Sequence, residues 1–158
     1  MQEKPVPQTL EYGPPISLEL AKQVVAAAEV EALVRGWPMV IAVVDSGGHL
    51  VVLHKLDHAQ LGSVAVAQAK AETALRFKRP TKIFEDAIAG GGLGLRLLAM
   101  NDICPLEGGL PLLRNGKIIG AIGVSGMQST QDAEVAAAGV KVIRAGDPVQ
   151  KACPSITK

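Results

Sequence analysis

The chain has 158 residues, 48% of them hydrophobic, and a formal net charge of +1 from 16 basic and 15 acidic side chains. That size suits one well-cored domain, the even mixture of charges excludes the basic stripe that nucleic-acid binding requires, and no apolar run approaches the roughly 18 residues of a membrane span. The start, MQEKPVPQTLEYGPP, is polar and proline-rich where a secretory signal would be apolar, so a soluble cytoplasmic protein is expected.

Cys104 and Cys153 are too few and too irregularly placed for a disulfide framework or a metal knuckle. The aromatic residues are Tyr12, Trp37, Phe77 and Phe84, too sparse for a base-stacking platform, so alanine, valine and leucine must fill the core.

Residues 1–15 read as a flexible arm, because Pro5, Pro7, Pro14 and Pro15 block regular structure; such an arm is suited to docking on a neighbouring subunit. A single domain is expected over 16–146, and Pro148 and Pro154 break a tail at 147–158. Ser17 is a good N-cap for a helix to about Arg35, which Gly36 and Trp37-Pro38 stop. Met39 to Val44 reads as a buried strand, Asp45-Ser-Gly-Gly48 as a turn, and His49 to Lys55 as the returning strand.

Gly62-Ser63 opens an alanine-rich helix to about Lys78; Pro80-Thr81 breaks it and caps another through about Ala89, and Gly90-Gly91-Gly92 ends that one. A short helical piece, Leu93 to Met100, follows. Asn115-Gly116, both able to take the positive φ of a type I′ turn, sits between Leu110–Leu113 and Ile118–Val124 and predicts a second hairpin. A last helix is expected from about Thr130 to Ala145. The order α, ββ, αα, ββ, α, with hairpins as the strand connections, predicts an α+β fold whose sheet is mainly antiparallel and flanked by helices.

Gly120, Gly123 and Gly126 recur every three residues along the second hairpin's last strand, with Ser129, Thr130 and Asp132 behind them, so this strand points at a helix N-terminus. Unpaired N–H groups there suit a carboxylate or phosphate; the alternative is that the glycines serve only close packing and a sharp turn. On the helix after Ser63, a 100° projection puts Gln68, Glu72, Arg76 and Arg79 on one solvated stripe and Lys70 opposite, with Val66, Thr73 and Phe77. An inward lysine fits a ligand-carboxylate anchor or a Schiff-base or general-base role, or else it pairs with a structural carboxylate or snorkels out. Asp132 falls on the inward side of the last helix, in a first turn where the helix dipole favours it.

Leu53 to Ser63 gathers His54, Lys55, Asp57, His58, Gln60 and Ser63 at a strand-to-helix junction. If the histidines converge with Asp57, they suit acid/base work or a metal. HxxxH metal motifs sit on helices, however, so no metal site is assigned and solvated histidines are the simpler expectation. Glu107, before Gly108-Gly109, is another candidate acid or base.

The ordered blocks VIAVVDSGGHLV (Val40–Val51), AQAKAETA (Ala67–Ala74), FKRPTKIFEDAIAGG (Phe77–Gly91), PLEGGLPLL (Pro105–Leu113) and GKIIGAIGVSGMQSTQD (Gly116–Asp132) resemble the GlcG/HbpS-like family, which includes haem-binding members and the C-terminal domain of PduO-type proteins. The resemblance implies a profilin-like α+β domain that assembles as a homo-dimer or higher homo-oligomer. It also implies a small-molecule ligand, with haem the candidate cofactor; no nucleic-acid or membrane partner is expected, from the charge mixture and the lack of a long apolar run. Members bind haem or corrinoid-related ligands, sit in catabolic operons, or act as hydroxylaminobenzoate lyases. Two departures stand out: Lys55 where the family usually has Arg, and His58 where Gly is common.

Two functional readings follow. In the first, a haem-like or other planar carboxylate-bearing ligand lies in a pocket lined by Lys70 and the Gly123–Gly126 turn, with Val124, Ser125, His58, Gly108 and Gly109 also binding, accessory to a catabolic pathway. In the second, the chain is a lyase or isomerase of a small aromatic acid, with Lys70 anchoring or activating the substrate and His54, Asp57 or Glu107 transferring protons.

Overall fold

The computed structural model describes residues 9–145. The expected tail and Cys153 lie outside them. In chain order the elements are β1 (Glu11–Tyr12), α1 (Leu18–Arg35), β2 (Val40–Asp45), β3 (Leu50–Lys55), α2 (Ser63–Phe77), α3 (Lys82–Ala89), a 3₁₀ helix (Gly92–Ala99), β4 (Gly109–Arg114), β5 (Lys117–Ser125) and α4 (Ser129–Ala145).

Local chemistry accounts for most of these boundaries. Ser17 Oγ accepts from Leu20 N–H at the start of α1. At its end Gly36 takes φ 69°, with Gly36 N–H bonded to Leu33 O and Trp37 N–H to Ala32 O, the double bond of a Schellman stop. Asn115 and Gly116 have φ 51° and 73°, and Arg114 pairs with Lys117 across them, so β4 and β5 form the expected two-residue hairpin.

β5 runs through the middle of the sheet. It pairs antiparallel with β4 on one side and with β2 on the other, from Val40 opposite Ser125 to Asp45 opposite Gly120. β3 completes the sheet outside β2. β1 differs from expectation. Within the stretch read as an irregular arm, Glu11 and Tyr12 run parallel to Lys117 and Ile118 of β5, and Tyr12 Oη donates to Leu75 O at 2.8 Å. These residues therefore dock on their own chain; prolines flank the two-residue strand without occupying it.

The sheet is mainly antiparallel with helices on both faces. Val40, Ala42 and Val44 turn to the α2 side, where Ala59, Ala67, Ala71, Ala74 and Leu75 meet them. Ile41 and Val43 turn to the other side, against Val24, Val25, Ala28, Val135 and Ala136 of α1 and α4. β2 is thus apolar throughout because it is covered twice. α2 lies exceptionally close to the sheet: a β-carbon on Gly123 would stand 2.0 Å from Ala67 O, and one on Gly109 2.4 Å from Lys70 O. Glycines under an alanine-rich helix let backbone rest on backbone.

Candidate functional site

Lys70 points inward as the helical projection predicts and is 1% exposed. Its Nζ donates to Val124 O at 2.9 Å and to Asp132 Oδ2 at 2.7 Å. The expected cleft between this amine and the Gly123–Gly126 bend is not formed. A β-carbon on Gly108 would lie 2.8 Å from Val124 O, 2.9 Å from Asp132 Cβ and 3.0 Å from Lys70 Nζ, so the chain entering β4 fills that place. Gly123, Val124, Ser125, Gly108 and Gly109 are all buried, and Ser125 Oγ donates to Ser63 Oγ at 3.2 Å. Gly126 is half-buried against Pro38 O and Met39. The packing alternative for these glycines is the arrangement found.

The reading of a helix start suited to an anion has an internal answer. Asp132 Oδ1 accepts from Met127 N–H, Gln131 Oε1 accepts from Gln128 N–H, and Ser129 Oγ donates to Glu85 Oε1. The protein's own side chains hold the start of α4. Burial pushes the Asp132 carboxyl up from its ordinary value, against Lys70 and the amides of Met127 and Gly126. Burial also pushes the Cys104 thiol up, opposed by the charge of Lys70.

Glu107 lies beside Lys82, 3.8 Å from its Nζ, and its N–H donates to Glu85 Oε2. His54 stands by α1, with Nδ1 2.8 Å from Glu29 Oε2. Lys70 and Glu107 thus belong to the surroundings of α2, α3 and α4, whereas His54 and Asp57 belong to the end of β3. The structure does not bring these four candidate catalytic residues into one cluster.

A cleft of about 560 Å³ does open at the end of β3, within the usual range for small-molecule sites. Glu29, Leu33, Gly36, Trp37 and Pro38, from the end of α1 and just after it, line it together with Lys55, Leu56, Asp57 and His58 from the exit of β3. Its shape follows from the chain. The Gly36 stop turns Trp37 away from the helix axis, while Leu56 N–H bonds to Met39 O and ties the exit of β3 to the entry of β2. The Arg35 guanidinium lies 5.0 Å over the Trp37 ring and is held by Glu31 at 2.9 Å and Glu134 at 3.1 Å, so the indole is held between this cation and the core.

Asp57 and His58, named from the sequence, both line this cleft. Glu29, Leu33 and Trp37 were not named as site residues. The signal available for Trp37 was its place between a helix-stopping glycine and a proline, outside any helix or strand; the structure packs it partly against the core.

Fold and site together define a helix-flanked, mainly antiparallel α+β domain with a ligand-sized cleft at one sheet end. A family model described as "Haem degrading protein HbpS-like" matches residues 16–141. Protein GlcG of Escherichia coli strain K12 is 38% identical over 110 residues, 70% of this chain and 81% of GlcG. A structure of HbpS superposes with TM-score 0.76 at 30% identity, covering 85% of this chain and 94% of that one. A PduOC:haem complex superposes with TM-score 0.74 at 30% identity, covering 82% and 95%. The chain belongs to the HbpS-like family.

Proposed function

We propose that this chain binds a planar, carboxylate-bearing small molecule of the haem type in the cleft between the end of α1 and the exit of β3, as an accessory to a catabolic pathway. The observation that carries this reading is the composition of the cleft. Trp37, which carries the Arg35 guanidinium over its ring and packs partly against the core, forms an apolar border with Leu33, Leu56 and Pro38, Lys55 supplies a cation for a carboxylate beside Glu29 and Asp57, and His58 brings an imidazole. This donor set fits a haem-type group, whose bound form would contribute a metal centre. The solved PduOC:haem complex, similar over most of this chain, supports the same ligand class.

Titrating the full chain with haemin and following the Soret band tests the reading. A saturable shift near one haemin per chain is expected. Trp37→Ala and Lys55→Glu should each weaken binding about tenfold, corresponding to about 1.4 kcal/mol for a lost aromatic contact or a reversed charge. A wild-type titration with no shift, or one that neither substitution alters, would rule out this cleft as the haemin site.

Self-association through the 3₁₀ helix is also proposed. Leu93, Leu95 and Leu98 are 81%, 50% and 64% exposed, no residue of that helix is buried, and Ile83 and Met100 stand exposed in and beside the same region.

A further inference from the structure

The three histidines are not equivalent. His49 Nδ1 lies 3.3 Å from Asp45 Oδ1, and His54 Nδ1 lies 2.8 Å from Glu29 Oε2. Among the described residues His58 has no hydrogen-bond or ion-pair partner, and it lines the same cleft as Trp37. Its neighbours there are Asp57 and Lys55 on its own strand end and Glu29 on α1.

Its backbone is unusual too. His58 takes φ 68° in a turn closed by Ala59 N–H to Leu56 O at 3.1 Å. The flanking Leu56 and Ala59 are buried, so the turn is anchored on both sides and residue 58 is held in the left-handed region. A β-carbon there costs about 1 kcal/mol relative to glycine. A residue that keeps a side chain against that cost, at the wall of a ligand-sized cleft and with its ring unengaged, is a candidate for function. The other two imidazoles are already held by carboxylates.

We infer that His58 supplies the imidazole that ligates the metal centre of a haem-type ligand in this cleft, an assignment that rests on the function proposed above. His58 would hold the metal centre through a ring-nitrogen lone pair of its imidazole. No electron is transferred and no covalent bond within the protein changes.

The test compares wild type, His58→Gly and His54→Ala by haemin titration and by thermal melting of the ligand-free proteins. His58→Gly should melt at or above wild type because the positive φ is relieved, yet lose the wild-type Soret position and bind haemin at least about tenfold more weakly. Added free imidazole should restore the Soret position in that variant. His54→Ala should keep the wild-type band.

A His58→Gly protein with unchanged band position and affinity would overturn the assignment while leaving the cleft reading standing. So would loss of the band in His54→Ala alone, or melting of His58→Gly well below wild type, which would make His58 a structural residue. Absence of any band in wild type would remove both the assignment and the reading beneath it, and binding of several haemins per chain with no variant effect would mark adsorption only.

Discussion

At the scale of single residues, the Lys70–Asp132 pair and Gly123 decide how α2 is seated. Lys70 and Asp132 are an ion pair shut away from water, so removing one partner strands the other. Lys70→Met should destabilise the protein by about 3–5 kcal/mol in urea unfolding, and adding Asp132→Leu should recover most of the loss. A double variant no better than the single one would show that the pair is not the source of the cost. Gly123→Ala asks a methyl group to share space with Ala67 O. It should cost about 3 kcal/mol by the same measurement. Helical periodicity showed which way Lys70 points, because a 100° step depends only on local geometry. Its partner was not legible, because Asp132 lies 62 positions further along the chain, on α4, and meets Lys70 only once both helices have packed.

At the scale of elements, the two hairpins and four α-helices follow from turn and cap residues close in sequence. The Asn115-Gly116 turn offers a clean check, since a β-carbon on Gly116 meets nothing within 4 Å and its φ is 73°. Gly116→Ala should therefore lose about 1 kcal/mol from backbone strain alone, read as a fall in urea midpoint with an unchanged slope. A change in slope would mean that the denatured state or the two-state transition had altered instead. β1 was missed for the complementary reason. Glu11 and Tyr12 have no pattern of their own between prolines, and their strand exists only because β5 extends beyond the end of β2 and leaves an open edge at Lys117 and Ile118.

At the scale of the whole molecule, the exposed leucines of the 3₁₀ helix are expected to meet another copy of the chain. Leu95→Glu together with Leu98→Glu should lower the mass found by light scattering while leaving the far-ultraviolet circular dichroism unchanged; an unaltered mass would place self-association elsewhere. The α+β class, the antiparallel hairpins, the inward Lys70 and the family were all present in short, ordered stretches of residues, since caps, turns and periodicity are set by neighbours along the chain. The cleft was not. Its walls come from residues 29–38 and 55–58, which meet because β2 and β3 pair and Leu56 ties back to Met39. The same long-range packing that opened this cleft filled the other one, by laying Gly108 and Asp132 against the Lys70 amine. Which hollow stays open depends on the distance between surfaces that only the folded sheet and its helices bring together, and no local pattern encodes that distance.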